Sequence, residues 1–494
     1  MKKTPATGSA RPVEPKADKA SVRRHNLSLV LRTVHEAGET TRAAVAARVG
    51  LTRAAVSSLV EQLLEHGLLV ESGKTFSGQA GRPGTVLKAA DTGPAGLGAE
   101  INVDYVSVCV VDLAGADRIR ITEPLDNRTA GPVEVLERAA RIAARALEAA
   151  AEQRLHPVGV RLALPGLVSA GTVQQAPNLG WNRVEADRLF AGALAALRPG
   201  GPELPVASDN EANAAALAEL WFGALGAVRS FLHLTGEIGV GGAIVVNGEL
   251  LRGAHGFAGE IGHLPVDANG PLCRCGSHGC LEQYAGQSAL LRAAGLPGLP
   301  TTGAPVSDAS ADAPVPDASA DAPVPDASAD APVSAAAAAA SASAVAEARA
   351  ADASAGAPAS ASAAADAPAS RASSSGDAPA SGASAVDELV RRVDAGEPRA
   401  VAAVEEAGRM LGLALSGAVN LLDPEAVVLG GIYPRLMARL GPAVDAELGR
   451  RVVSGLWTPS AGRLRAASTS ADAARGAAAV VIREVLADPL AYTG

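Results

Sequence analysis

Aromatic side chains are nearly missing: five Phe, four Tyr and three Trp, 2% of 494 residues. A core must therefore rest on Ala, Val and Leu, and hydrophobic residues at 48% suffice for a sizeable one, which excludes a wholly disordered chain. No stretch offers the ~18 consecutive strongly apolar residues of a spanning helix, so no membrane role is expected. The N-terminus, MKKTPATGSARPVEPKADKA, lacks the apolar run and cleavage site of a signal peptide. A cytoplasmic, nucleoid-associated protein is the expectation. Cysteine is scarce too: four residues cannot staple so long a chain, and three of them lie within eight positions. That clustering points to a metal before a bridge.

A net positive balance is absent from most of the chain but not from its start. Residues 1–90 hold 14 Lys and Arg against 7 Asp and Glu, while the remainder holds 29 against 45. A basic segment ahead of an acidic body suggests that the first ninety residues meet a polyanion. The alternative is a tail that only keeps the protein soluble.

Length allows two to four domains at about 150 residues each. Residues 1–20 read as a flexible arm and 21–90 as a DNA-binding domain. Residues 94–300 alternate strand-like runs (GLGAEINVDYVSVCVVDL, VGVRLALPGLV, VASDN, RSFLHLTG, VGGAIVV) with Ala-rich helical stretches, the pattern of an α/β domain. Residues 301–385 are almost all Ala, Ser, Asp, Pro and Gly, with the nine-residue unit APVPDASAD repeated. Such a composition cannot offset chain entropy, so a disordered insertion is expected. Order resumes near Val386, and 386–494 completes the interrupted domain.

The run TTRAAVAARVGLTRAAVSSLVEQLLEHGLL has the arithmetic of a helix-turn-helix. A first helix over Arg42–Val49 ends at Gly50, Leu51 packs under the turn, and Thr52 caps a second helix with Val56, Leu59, Val60 and Leu63 at helical spacing. Thr52, Arg53, Ala54, Ser57 and Ser58 are left on its exposed N-terminal face, small and hydrogen-bonding residues suited to a major groove. LLVESGKTFSGQAGRPGTVLKAA follows as two strands of a wing, whose Arg82 could reach a narrow minor groove. A helical protein-binding module is the competing reading.

The densest chemistry lies in GELLRGAHGFAGEIGHLPVDANGPLCRCGSHGCLEQYAG. Cys273, Cys275 and Cys280 form C-x-C-x4-C, and His263 lies ten residues upstream. Three thiolates and an imidazole make a closed tetrahedral set for structural Zn2+. His278 competes as fourth ligand, and a free Cys cluster is the alternative. Cys109, alone in an apolar run, reads as core.

GELLRGAHGFAGEIGH followed by CRCGSHGCLE resembles the signature of the ROK family (repressors, open reading frames, kinases), and APNLGW, DNEANAAALAE and NLLDPEAVVLGG extend the match. The resemblance implies an actin-like, ribonuclease H-like ATPase fold of two α/β lobes with a sugar cleft between them, behind an N-terminal winged helix-turn-helix. It also implies either a sugar kinase or a sugar-responsive transcription factor, as a dimer or tetramer. By position, Glu260, His263 and Glu282 match residues that bind sugar hydroxyls, His263 being also a zinc ligand; Asn210 matches the Asn beside the catalytic carboxylate, and Asn178 is a further cleft candidate.

Family kinases carry an Asp-x-Gly-Gly-Thr phosphate loop, and here the corresponding run, Glu100-Ile101-Asn102-Val103-Asp104, has lost the Gly-Gly-Thr. Side chains at glycine positions keep a phosphate away from the backbone. The family's catalytic Asp is Glu211, one methylene longer, and a ~1 Å misplacement can cost ~100-fold. In TGEIGVGGAIV, Ile238 stands where a Thr would hydrogen-bond. The expectation is a non-enzymatic, sugar-sensing regulator, a repressor of carbohydrate uptake or catabolism genes such as those for xylose, released from a pseudo-palindromic operator when sugar binds. The rivals are a sugar kinase with a fused DNA-binding domain and a DNA-binding protein with a vestigial cleft.

Overall fold

The computed structural model describes residues 19–75, 84–297 and 382–492, apart from residues 454, 456, 460 and 469–471. All but the last two residues of the expected arm, which start a helix, and all but the end of the expected insertion lie outside them.

The head begins with α1 (Lys19–Ala37), followed by β1 (Thr40–Thr41), α2 (Arg42–Val49), α3 (Arg53–Glu65), β2 (Leu69–Thr75) and β3 (Gly84–Ala89). The Thr41 side chain caps α2 by accepting from the Ala44 amide, and Gly50 closes it at φ 70°, where a side chain would be strained. Thr52 caps α3 in the same way, accepting from the Ala55 amide. Val56, Leu59, Val60 and Leu63 bury the inner face of α3 against Leu27, Val30, Leu31 and Val34 of α1 and Val45 of α2. The three strands form one antiparallel sheet in the order β1-β3-β2.

The body starts with β4 (Gly93–Ile101), β5 (Tyr105–Asp112) and β6 (Asp117–Pro124), an antiparallel meander. Then come α4 (Pro132–Glu152), β7 (Leu155–Leu164), the small sheet β8 (Leu167–Ser169), β9 (Thr172–Ala176) and β10 (Trp181–Val184), α5 (Ala186–Leu197) and β11 (Val206–Asn210). The first lobe's sheet has the order β11-β7-β4-β5-β6, with β7 parallel to both β4 and β11. Helix α6 (Glu211–Phe222) leads to a second sheet through β12 (Phe231–Gly236), β13 (Val240–Val246) and β14 (Glu249–Leu250). After the Ile261–His263 turn come α7 (Glu282–Ala285), α8 (Gln287–Ala293), α9 (Gly382–Asp394) and α10 (Pro398–Leu422); β15 (Ala426–Gly431), α11 (Tyr433–Arg451) and β16 (Leu464–Ala466) complete the lobe. Its sheet order is β14-β13-β12-β15-β16. Leu232, Leu234, Val427 and Leu429 meet Leu411, Leu415, Leu436 and Leu440 in a core almost without aromatics.

The last long helix, α12 (Ala473–Ala487), returns to the first lobe. It packs so closely on β4 that a Cβ at Gly96 or Gly98 would lie 2.1 or 1.9 Å from the carbonyl oxygens of Ala478 and Ala474. Its other side meets the head. Ala474, Ala478, Ile482 and Val485 share one apolar cluster with Leu27, Val30 and Leu31, and Ser28 Oγ donates to the Leu486 carbonyl at 2.7 Å. No single described helix is long and apolar enough to cross a membrane.

Candidate functional site

Strand ends and helix starts converge where the lobes meet. Asn102 and Val103 come from the β4–β5 turn, Asn178 from the β9–β10 turn, Asn210 and Glu211 from the β11–α6 junction, and Glu237 to Gly242 from the β12–β13 hairpin. The second lobe adds Glu260, His263, Arg274 and Glu282, enclosing a narrow polar cleft of about 70 Å³. All six sequence-expected cleft residues line it.

Their local bonds differ. The Asn210 side chain caps α6, accepting from the amides of Ala212 and Asn213, and donates to the Gly166 carbonyl, so it organises the cleft floor. Asn178 Oδ1 accepts from Arg274 Nη1 at 3.0 Å, and Arg252 pairs with Asp209 at 2.7 Å. Both contacts join the lobes. Burial pushes the Glu211 carboxyl up to about 8, helped by the charges of Glu100, Glu260 and Glu282. Glu237 is driven well above the usual carboxylate range, again by burial first. Glu260 is also raised by burial, against the pull of His263.

The glycines of the β12–β13 hairpin have a packing reason. A Cβ at Gly239 would lie 2.0 Å from Glu282 Oε2, and one at Gly242 would lie 2.4 Å from the Gly259 carbonyl. Both let the Glu260 and Glu282 segments close on the hairpin. In the β4–β5 turn, Asn102 Oδ1 accepts from the Val103 amide and Nδ2 donates to Tyr105. Side chains, not an open backbone cradle, occupy this turn.

His263, Cys273, Cys275 and Cys280 bring their ligand atoms within 4.8 Å of one another, a set that could hold a metal ion. His263 Nδ1 lies 3.7 Å from Cys273 Sγ, and its Nε2 lies 3.9 Å from Glu260 Oε2. One imidazole thus faces the thiols and the cleft at once. Burial alone would raise Cys273, but hydrogen bonds from His263 and from the Cys275 backbone bring it down to about 7. The competing His278 is exposed and directs Nδ1 to the Gly270 carbonyl, away from the quartet. Cys109 is buried in β5.

On the head, Thr52, Arg53, Ala54 and Ser58 are exposed at the start of α3, and Ser57 is half-buried. Arg53 has no ion pair among the described residues, whereas Arg42 pairs with Glu71 and Arg48 with Glu36 at 2.5 Å each. Arg82 lies outside the described residues. Sequence reading missed Glu237 and Arg274. Glu237 sits in a run read only for Ile238, and Arg274 in one read only for its cysteines and histidine. In neither case does anything local mark the residue as facing the cleft.

The ROK family model matches residues 97–345 and 362–484. The xylose repressor of Caldicellulosiruptor bescii is 34% identical over 272 residues, covering 54% of this chain and 65% of that protein, so the match spans just under two thirds of the relative. A ROK family transcriptional regulator, a homolog of the E. coli MLC protein, has a TM-score of 0.63 at 21% identity over 95% of this chain and 98% of its own. A ROK family glucokinase from Streptomyces griseus, solved with glucose and AMPPNP, gives 0.51 at 24% identity over 78% and 98%. These two likenesses are likenesses of fold. With its family match running through both lobes, the chain belongs to the ROK family.

Proposed function

We propose that the protein is a sugar-responsive transcriptional repressor that leaves its operator when a sugar enters the cleft between the lobes. One observation carries the reading: α6 begins at Asn210 and Glu211 in the cleft and packs closely on α12, where a Cβ at Gly476 would lie 1.9 Å from the Ala214 carbonyl, and α12 in turn ends against α1 of the head, so a change at the lobe junction reaches the DNA-reading helices through packed helices. The cleft chemistry supports a polyol ligand. Glu260, His263, Glu282, Asn178 and Glu211 offer paired acceptors and donors, with Asn210 ordering them. The narrow volume and the Arg274–Asn178 bridge on the cleft wall give an entering sugar a contact to part or replace, the difference between states that a switch requires, while Arg252–Asp209 is a second tie between the lobes. The relatives named xylose repressors favour a pentose or hexose.

In this reading the head, residues 21–90, is a winged helix-turn-helix. Its α3 enters the major groove with Thr52, Arg53, Ala54, Ser57 and Ser58, and β2 and β3 form the wing that carries Arg82. A homodimer presents two such helices to a pseudo-palindromic operator; a tetramer doubles the arrangement. The quartet of His263, Cys273, Cys275 and Cys280 holds a structural Zn2+, which when bound fixes the loop presenting Glu260 and Glu282. Catalysis is not part of the reading. Filled side chains in the Asn102–Val103 turn and a lengthened Glu211 argue against phosphoryl transfer.

The test is a titration of DNA, selected by the protein from a random pool, with common pentoses and hexoses present. One sugar should weaken binding tenfold or more and raise the thermal midpoint of the free protein. Affinity indifferent to every sugar, or sugar-dependent release of ADP from ATP, would overturn the reading.

A further inference from the structure

The thiols of the metal quartet are not alike. Cys273 and Cys280 are buried, whereas Cys275 is exposed, and its Sγ lies 3.6 Å from that of Cys280. The backbone holds this pair unequally. Cys280 is anchored: it pairs with Pro265 in a short antiparallel bridge, and a Cβ on the preceding Gly279 would fall 1.6 Å from the Asp267 carbonyl oxygen. Cys275 instead precedes Gly276, at φ 90°, where a Cβ would meet nothing within 4 Å among the described residues. One sulfur is fixed and the other has room to approach it, across a gap that exceeds a disulfide bond by about 1.5 Å. Cys273 faces a different neighbour, His263 Nδ1 at 3.7 Å. Cys109 is buried in β5, outside the quartet.

We propose that Cys275 and Cys280 are a reversible modification site: a hydroperoxide oxidises the pair to a disulfide, which dismantles the metal site and loosens the cleft wall. The Cys275 sulfur attacks the hydroxyl oxygen of the peroxide and the O–O bond breaks. The leaving oxygen takes the Cys275 proton and departs as an alcohol, or as water from hydrogen peroxide. The Cys280 sulfur then attacks the sulfenic sulfur; the S–S bond forms, the S–O bond breaks, and the hydroxyl leaves as water with the Cys280 proton. The two sulfurs lose two electrons and the peroxide gains them. His263 and Cys273 alone remain to ligate, half of the tetrahedral set that Zn2+ takes. The path from there to the cleft is short. Arg274, whose Nη1 donates to Asn178 across the lobes at 3.0 Å, adjoins Cys275, and Glu282 of the cleft wall follows Cys280 by two residues. The effect on sugar rests on the function proposed above; the disulfide does not.

The test uses the full chain, reduced and loaded with Zn2+, then treated with hydrogen peroxide beside a chromogenic chelator, alkylated and cut with trypsin. Cleavage after Arg274 leaves Cys273 on peptide 253–274 and the proposed pair on peptide 275–292. Two of the four free thiols should be lost as zinc is released. Peptide 275–292 should emerge unalkylated and lighter by two hydrogens, with peptide 253–274 fully alkylated. Dithiothreitol with Zn2+ should restore both thiols and metal. In Cys275→Ser, Cys280 should stay open to alkylation, whereas Cys109→Ser should oxidise as wild type does. The oxidised chain should lose its sugar-induced rise in thermal midpoint and regain it on reduction. Retention of all four thiols, a disulfide joining the two peptides, or a sugar response unchanged by oxidation would overturn the proposal. Reduced protein that takes up no zinc, or answers no sugar, sinks the earlier reading instead, and the peptide map still decides this one.

Discussion

The head and the cleft solve opposite problems. The head buries a stripe of Leu and Val from three neighbouring helices and leaves its polar residues in water, where Arg53 and the first turn of α3 stand open. The cleft draws Asn102, Asn178, Glu211, Glu237, Glu260 and Glu282 from segments up to 180 residues apart and crowds carboxyls where water is scarce. An exposed site needs only local pattern. A buried one needs the whole fold to hold its charges in place, and those charges shift as a result.

That contrast can be broken most sharply at the metal quartet. Cys280→Ser, or chelation, should cost on the order of 3 kcal/mol of body stability, among the larger single-site effects, and remove any sugar response. The isolated effect on DNA affinity should be small; a calorimetric scan beside a gel-shift titration separates the two. The joint between the regions is the next target. Gly98→Val drives a side chain into the Ala474 carbonyl and should cost about 1–3 kcal/mol by overpacking while uncoupling sugar from DNA binding. Retained coupling in a folded variant would show that α12 is not the link. On the head, Arg53→Ala should weaken DNA binding by roughly 1–3 kcal/mol and relax one base preference, leaving sugar-induced stabilisation unchanged. Thr52→Ala removes the cap of α3 and should cost ~1 kcal/mol of head stability, read from a thermal melt.

The smallest expected effect is in pH dependence. Glu100 and Glu211 have folded values near 7 and 8, above their ordinary 4.5. Groups raised in this way contribute stability that is full below about 4.5 and is lost as pH rises through 7 to 8. Glu211→Gln should flatten that decline in a series of melts. A slope unchanged by Glu211→Gln would locate the titration elsewhere.

Much of this was legible along the chain because helices announce themselves locally. Thr52, Gly50 and the Val56–Leu63 spacing are all the information α3 requires, and alternating apolar residues mark β4, β5 and β12. The three cysteines were equally plain, since eight residues cannot separate them far. His263 against His278 was not. Sequence distance favours neither, and the choice rests on where the Ile261–His263 turn is carried by Gly242 and Gly259. The extent of α9 was also unclear, since it begins at Gly382, before the apolar residues from Val386 that mark it.

Local pattern and composition thus determined the elements, the basic head and the thiol cluster, because short-range sterics and hydrophobic spacing are properties of neighbouring residues. Only the tertiary structure decided that Glu237 and Arg274 face the cleft, that a second acidic cavity lies behind Glu211, and that α12 packs on both α6, which starts in the cleft, and the head. Those are contacts between residues far apart along the chain, and the geometry of two packed sheets, not any nearby pattern, brings them together.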